Sequence, residues 1–234
     1  MQVSSQERVC LMFHDVKTTP LRWNLLPEVF EKVLEIVKPY SNTVTLTVDD
    51  GGVGNYSYIY PVLEKNELQG IFFIPTSFIN SSENRRPSYM NSVQIREISQ
   101  SGHIIGSHSH SHPKNISLLS RAKVLEEWRT SKEILEDITG RAVTACSIPG
   151  GFYNPAHLAL LKELGYKQIY NSSPRYGVIE KDGQLIFGRF SIENDTRLSD
   201  IKSIVRRDRT IQTYLYARHW ASKSLHTLLH RIKS

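Results

Sequence analysis

Short apolar runs recur along the chain, each followed by a stretch with helical spacing, and this alternation constrains the fold more than any other feature. The runs are 9–13 (VCLMF), 43–48 (TVTLTV), 70–74 (GIFFI), 103–107 (HIIGS), 142–148 (AVTACSI), 166–171 (YKQIYN) and 185–192 (LIFGRFSI). Their length and their β-branched and aromatic content suit strands, and their near-continuous apolar character suits strands covered on both faces. The intervening stretches carry helix signals. Pro27 opens a helix over 27–38 with apolar residues at 29, 30, 33, 34 and 37, and a helix-like stretch runs from Tyr56 to Asn66. Asn91, with Gln94 three positions on, starts a helix that closes near Gly102. A long helical segment from about Leu119 to Ile138 stops at Gly140, and Asn154 with Pro155 supplies a cap and first turn for 155–165. Strands alternating with helices build a parallel sheet with helices outside it. Seven such strands in 234 residues predict one α/β domain, an irregular, incomplete barrel rather than an open sheet.

Composition narrows the class of protein. No apolar run approaches the ~20 residues of a membrane span, and MQVSSQERVC, residues 1–10, has no hydrophobic stretch behind a basic segment. The expectation is a soluble, cytoplasmic chain, unless a leader has been removed. Cys10 and Cys146 fall inside apparent strands without a second cysteine nearby, which reads as two buried free thiols rather than a zinc knuckle. The net charge of +6 admits anionic partners without choosing one. Much of it sits in residues 201–234, which hold eight Lys or Arg against one acid, Asp208, and repeat apolar residues at helical spacing through Leu215, Leu225, Leu228 and Leu229. We divide the chain into a barrel over 1–200 and a basic helical extension over 201–234. The extension is read as packed on the same domain with a solvated basic face, or as a surface helix drawn to a membrane or an anionic carrier. No nucleic-acid motif accompanies the charge.

Chemically capable residues collect where the strands end. His14 follows the first strand, Asp49 and Asp50 end the second, His108 follows the fourth, Pro149-Gly150-Gly151 the fifth, and Asn171 and Ser172 the sixth. In parallel α/β architectures that edge is where active sites are built. Adjacent residues on a strand point to opposite faces, so Asp49 and Asp50 are expected to divide two tasks, one reaching a metal and the other taking a proton beside it. The same letters, followed by Gly51, would also make a polar turn. In GSHSHSHP, residues 106–113, His108 and His112 are four apart and would face one point on a helical turn, with His110 on another bearing. A histidine-rich surface loop is the plainer alternative. Two histidines and one carboxylate leave a coordination position open, the arrangement of a catalytic metal site. A glycosidase is disfavoured, because its two carboxyls must face each other across a bond, about 5 Å or more apart.

These residues resemble the polysaccharide deacetylases of carbohydrate esterase family 4, with the NodB homology domain. TVDDG, residues 47–51, is similar to the family's TFDDG, and HSHSHP, residues 108–113, to its H[S/T]xxHP. The resemblance covers roughly residues 9–192. It implies a distorted seven-stranded (β/α) barrel and a metal-dependent N-deacetylase, with Asp49 as general base and Asp50, His108 and His112 holding a divalent metal, usually zinc. LMFHDV, residues 11–16, resembles the YHxV of the subgroup acting on exopolysaccharides and poly-N-acetylglucosamine, which makes His14 the candidate acid. The third family motif departs: in SIPGGFYN, Ser147 stands where an arginine is usual and Gly150 where a tyrosine is usual. The late LHD motif is missing. Arg189 is the candidate substitute for orienting Asp49. Gly150 would let a backbone N–H approach an oxyanion, and Phe152 and Tyr153 would stack on a sugar or belong to the core. The expected activity is removal of N-acetyl groups from an amino-sugar glycan or its precursor. The alternatives are deacylation or deformylation of a lipid- or nucleotide-linked sugar or another amide, and a catalytically weak glycan-binding module.

Overall fold

A computed structural model of the chain describes residues 8–19, 23–81, 89–152 and 154–232, with side chains as far as residue 221. β1 (Val9–Phe13) is followed by β2 (Asp15–Val16) and β3 (Asn24–Leu25), which pair with each other apart from the main sheet. Then come α1 (Pro27–Val37), β4 (Val44–Val48), α2 (Tyr60–Lys65), β5 (Gly70–Ile74), α3 (Ser92–Gln100) and β6 (Ile104–Ser107). α4 (Arg121–Thr139), β7 (Ala145–Ser147), α5 (Ala156–Glu163) and β8 (Gln168–Tyr170) continue the alternation. β9 (Val178–Lys181), β10 (Gln184–Phe187), β11 (Phe190–Ser191), α6 (Leu198–Val205) and α7 (Arg209–Ile232) follow. The sheet order is β11-β1-β4-β5-β6-β7-β8-β10-β9, and the sheet curls into a half-barrel. Pairing is parallel except for the β9–β10 hairpin.

Local chemistry sets the helix ends. Asn91 accepts from the Gln94 backbone N–H while the Gln94 side chain accepts from that of Asn91, so α3 begins on a reciprocal capping box. Ser120 caps α4, which begins slightly later than its sequence pattern predicts, and Gly140 ends it in the left-handed conformation at φ 65°. The helix-like stretch from Tyr56 is composite: a π-helical turn, Asn55–Ile59, precedes α2.

The strand predicted over 185–192 is two strands. β10 pairs with β8, whereas β11 crosses to pair with β1, leaving Gly188 and Arg189 between them at the break in the barrel. A Cβ on Gly188 would lie 2.5 Å from the Ser173 carbonyl oxygen, so the chain can turn there only with glycine. The turn-rich segment 173–184 also contains a strand, β9. It is largely exposed and polar, and joins β10 through Asp182 and Gly183, both at positive φ. That Asp-Gly pair is a hairpin signal that a reading from apolar content overlooks.

The period of two along each strand sorts the core. Val9, Leu11 and Phe13, with Leu46, Val48, Phe72 and Ile105, pack under the helices. Cys10, Ile71, Phe73, Ala145, Tyr170 and Phe187 fill the inner face. The stacked rings of Tyr170 and Phe187, 4.5 Å apart, and Phe73 form the floor of the half-barrel. Gly106 makes room for it, since a Cβ there would meet the Phe73 ring at 2.5 Å. α6 buries Ile201, Ile204 and Val205 and packs against α1. Both cysteines are free and buried, and burial pushes the Cys10 thiol up to about 12.

Candidate functional site

Extending the inner-face parity by one position at the C-terminal end of each strand gives His14 after Met12, Asp49 after Thr47, His108 after Gly106, and Ser147 after Ala145. His14, Asp49 and His108 line a cleft of about 550 Å³ together with Asp50, His112 and Arg189, with Ser147 buried behind Asp49. That volume suits a small-ligand site.

Asp49 is 2% exposed and Arg189 is 1% exposed. Arg189 Nη1 lies 2.7 Å from Asp49 Oδ1, and Nη2 lies 2.8 Å from Oδ2, a two-pronged pair. Nη1 also donates to Thr47 Oγ1 at 3.1 Å, Nη2 to Ser147 Oγ at 2.7 Å, and Nε to the Asn171 carbonyl at 3.1 Å. All five guanidinium donors are thereby used. The Ser147 hydroxyl, where the family usually has arginine, donates in turn to Asp49 Oδ2 at 3.0 Å. Burial alone would push the Asp49 carboxyl up, but Arg189 and His108 outweigh it and hold the group below its ordinary value.

The two acids are set apart differently from the way the sequence suggested. β4 ends at Val48, and Asp50 stands at φ 74°, in the left-handed region, so a turn rather than strand pleating separates the carboxylates. They are not on opposite faces: His108 Nε2 lies 3.6 Å from Asp49 Oδ2 and 3.4 Å from Asp50 Oδ1. His112 Nε2 is 3.3 Å from the same Asp50 oxygen. Burial would raise the Asp50 carboxyl, and the two imidazoles overcome this, holding it well below its ordinary value.

The histidine segment is likewise not a helical turn. Ser109 and His112 adopt left-handed φ values of 63° and 53°, and this irregular loop aims both imidazoles at Asp50, with ring centroids 4.7 Å apart. Glu127 on α4 holds the loop. It accepts from the backbone N–H groups of His110 at 3.0 Å and Ser111 at 2.8 Å, and from the Ser111 hydroxyl at 2.6 Å. The His112 N–H donates to Ser109 Oγ at 3.2 Å. His110 turns away to Thr76, its Nδ1 lying 2.9 Å from Oγ1.

The residues fit a divalent metal. One donor atom each from Asp50, His108 and His112 lies within 4.8 Å of the others. His108 Nδ1 is 2.8 Å from the Ser147 carbonyl, which can only accept, so Nδ1 carries a proton and the neutral ring presents its lone pair on Nε2. A carboxylate with two imidazoles is a donor set typical of zinc.

The remaining candidates line the same cleft. His14 Nδ1 is buried without a hydrogen-bond partner among the described residues, and its ring lies 5.2 Å from that of Trp23. Trp23, 44% exposed, also faces the cleft, and no sequence signal distinguished it. Gly150, at φ 61°, and Phe152 line the cleft too. Tyr153 lies outside the described residues. On the far wall stand Leu215, Arg218 and His219 of α7.

Among curated proteins, the chain is 28% identical over 137 residues to the putative polysaccharide deacetylase YxkH of Bacillus subtilis, covering 58% of this chain and 47% of that protein. It is 28% identical over 130 residues to the peptidoglycan-N-acetylmuramic acid deacetylase PdaA of the same organism, covering 55% of this chain and 46% of that one. The chain thus spans about half the length of these relatives. The solved structure of IcaB from Ammonifex degensii shares the fold at a TM-score of 0.73 and 19% identity, over 88% of this chain and 97% of that one. Residues 36–169, which contain both acids and both histidines, match the polysaccharide deacetylase family. The chain belongs to that family.

Proposed function

We propose that this protein is a metal-dependent hydrolase that removes N-acetyl groups from an amino-sugar glycan or glycan precursor. The observation that carries the reading is the convergence of Asp50, His108 and His112 on one point beside Asp49, a second carboxylate already held on both oxygens by Arg189. The names of YxkH and PdaA support an N-acetylated glycan as the substrate class.

A divalent ion, zinc by its donor set, held by Asp50, His108 and His112 would lower the pKa of water and polarise the acetamide oxygen. Asp49 takes the proton of the attacking water. Its depressed pKa makes it a weak base, which suits a water that is itself acidified, and Arg189 with Ser147 fixes the direction of its oxygens. Gly150, which lines the cleft, is assigned the backbone N–H that would meet the developing oxyanion. His14, protonated, gives its proton to the departing sugar amine; its unpartnered Nδ1 supports a role in the cleft rather than in the core. Phe152 and Trp23 offer aromatic surfaces to the sugar. The excess positive charge of 201–234 supports an anionic carrier or membrane as neighbour of this extension.

Acetate release from N-acetylglucosamine oligomers by the zinc-loaded protein tests the reading. Asp49→Asn is expected to retain zinc and lose at least about 100-fold in rate, whereas His108→Ala loses both metal and activity. Normal turnover by Asp49→Asn would remove Asp49 as the base.

A further inference from the structure

We propose that the outer face of α7 docks on an anionic membrane surface and thereby sets the cleft beside an amino sugar anchored in that surface. The substrate half of this inference rests on the deacetylase reading above; the docking half does not.

α7 has two unlike faces. Ile211 and Leu215 pack against the core, and Leu215, Arg218 and His219 line the cleft. Arg209, Thr213, Tyr216 and Trp220 follow one another at intervals of three or four residues, which places them in one stripe along the helix. All four are exposed, and the Tyr216 and Trp220 rings lie 6.0 Å apart. Of the large apolar side chains exposed among the described residues, three, Tyr214, Tyr216 and Trp220, fall on this one helix, at 59%, 44% and 47% exposure. None of these three lines the cleft, so they are not sugar platforms of that site.

The charge of the segment selects the occupant. Residues 201–234 carry eight Lys or Arg against Asp208 alone, which complements an anionic surface and opposes self-association of two like-charged copies. Exposed tyrosine and tryptophan on a basic helix suit the headgroup layer, where the ring is buried and its polar edge stays wet. No helix among the described residues is long and apolar enough to cross a membrane, so this contact lies on the surface. A helix is about 10 Å thick. Docking the outer stripe therefore puts the cleft wall formed by Leu215, Arg218 and His219 about one helix diameter from the headgroups. An amino sugar joined to a lipid through phosphate lies within that reach.

The test is co-sedimentation of the full chain with vesicles of phosphatidylcholine alone or mixed with phosphatidylglycerol. Binding is expected only to the mixed vesicles, weakening as salt is raised. The double variant Tyr216→Ser/Trp220→Ser should bind at least about tenfold more weakly and release acetate normally from soluble N-acetylglucosamine oligomers. On an N-acetylglucosaminyl lipid in the mixed vesicles, the same variant should lose at least about tenfold in rate. A wild-type chain left in the supernatant, or a double variant that binds the vesicles equally well, would overturn the docking. So would a dimer by light scattering that Trp220→Ser dissolves, since a second copy would then occupy the face. Equal rates of wild type and variant on the lipid substrate would overturn the substrate half. Vesicle binding by a chain that releases acetate from no substrate would uphold docking and sink the deacetylase reading instead.

Discussion

Arg189 and Asp49 stand 140 positions apart in the chain and form a buried pair at the break in the barrel. A buried guanidinium is tolerable only when its donors are satisfied, and here Asp49, Thr47, Ser147 and Asn171 satisfy all five. Replacing it by Arg189→Met should leave Asp49 charged and buried without its two-pronged partner, costing about 3–5 kcal/mol in urea unfolding. A loss below about 1 kcal/mol would show that water reaches and solvates the carboxylate. At the level of single residues, Asp49, Asp50, His108 and His112 were marked as candidates by their spacing together with the two motifs they resemble. The sequence showed Ser147 only as a mismatch and Arg189 only as a candidate, because the bond between them depends on which strands become neighbours. The direction of Asp50 was misread because the strand was carried one turn too far: the polar turn that the same letters allow is the one formed, with Asp50 in the left-handed region.

Elements with strong periodicity were legible, and those ended by a tertiary event were not. α3 carries its cap in sequence at Asn91 and α4 its stop at Gly140, so those ends followed from the letters, whereas the Ser120 cap that starts α4 was not read. The run 185–192 looks continuous, but its halves pair toward opposite ends of the sheet, β10 with β8 and β11 with β1, a change of partner that no local pattern records. The loop 108–113 is similar. Its spacing fits a helix, while its actual shape is imposed by Glu127 on α4 through the His110 and Ser111 backbone. Glu127→Ala removes those acceptors at no cost to helix propensity. Zinc affinity should fall by roughly tenfold, the range for groups that support metal ligands, with helical circular dichroism unchanged. Unaltered affinity would mean that the loop holds its shape without α4.

Across the whole molecule, chemistry is confined to one end of the strands and a different ionisable cluster supports the other. His103, preceding β6, accepts the Gly70 N–H on Nδ1 at 3.0 Å and sets Nε2 3.0 Å from Glu64, with Tyr60 and Phe72 packed edge-on. Burial pushes its pKa down, and Glu64 only partly restores it. The unfolded chain therefore takes the proton first as pH falls below the ordinary value of 6.5, so this group's contribution to stability is complete above that value and is lost below it. Urea midpoints taken from pH 8 downward should fall less steeply for His103→Gln than for the wild type; parallel slopes would assign the acid sensitivity elsewhere.

In the proposed reaction Asp50 binds the ion with His108 and His112, while Asp49, held by Arg189, stays off it to handle protons. Anomalous diffraction from zinc-loaded crystals tests this most directly. The prediction is one zinc about 2.0–2.2 Å from an Asp50 oxygen and the two histidine Nε2 atoms, with the Asp49–Arg189 pair intact. A zinc ligated by Asp49, or bound away from these three residues, would contradict it.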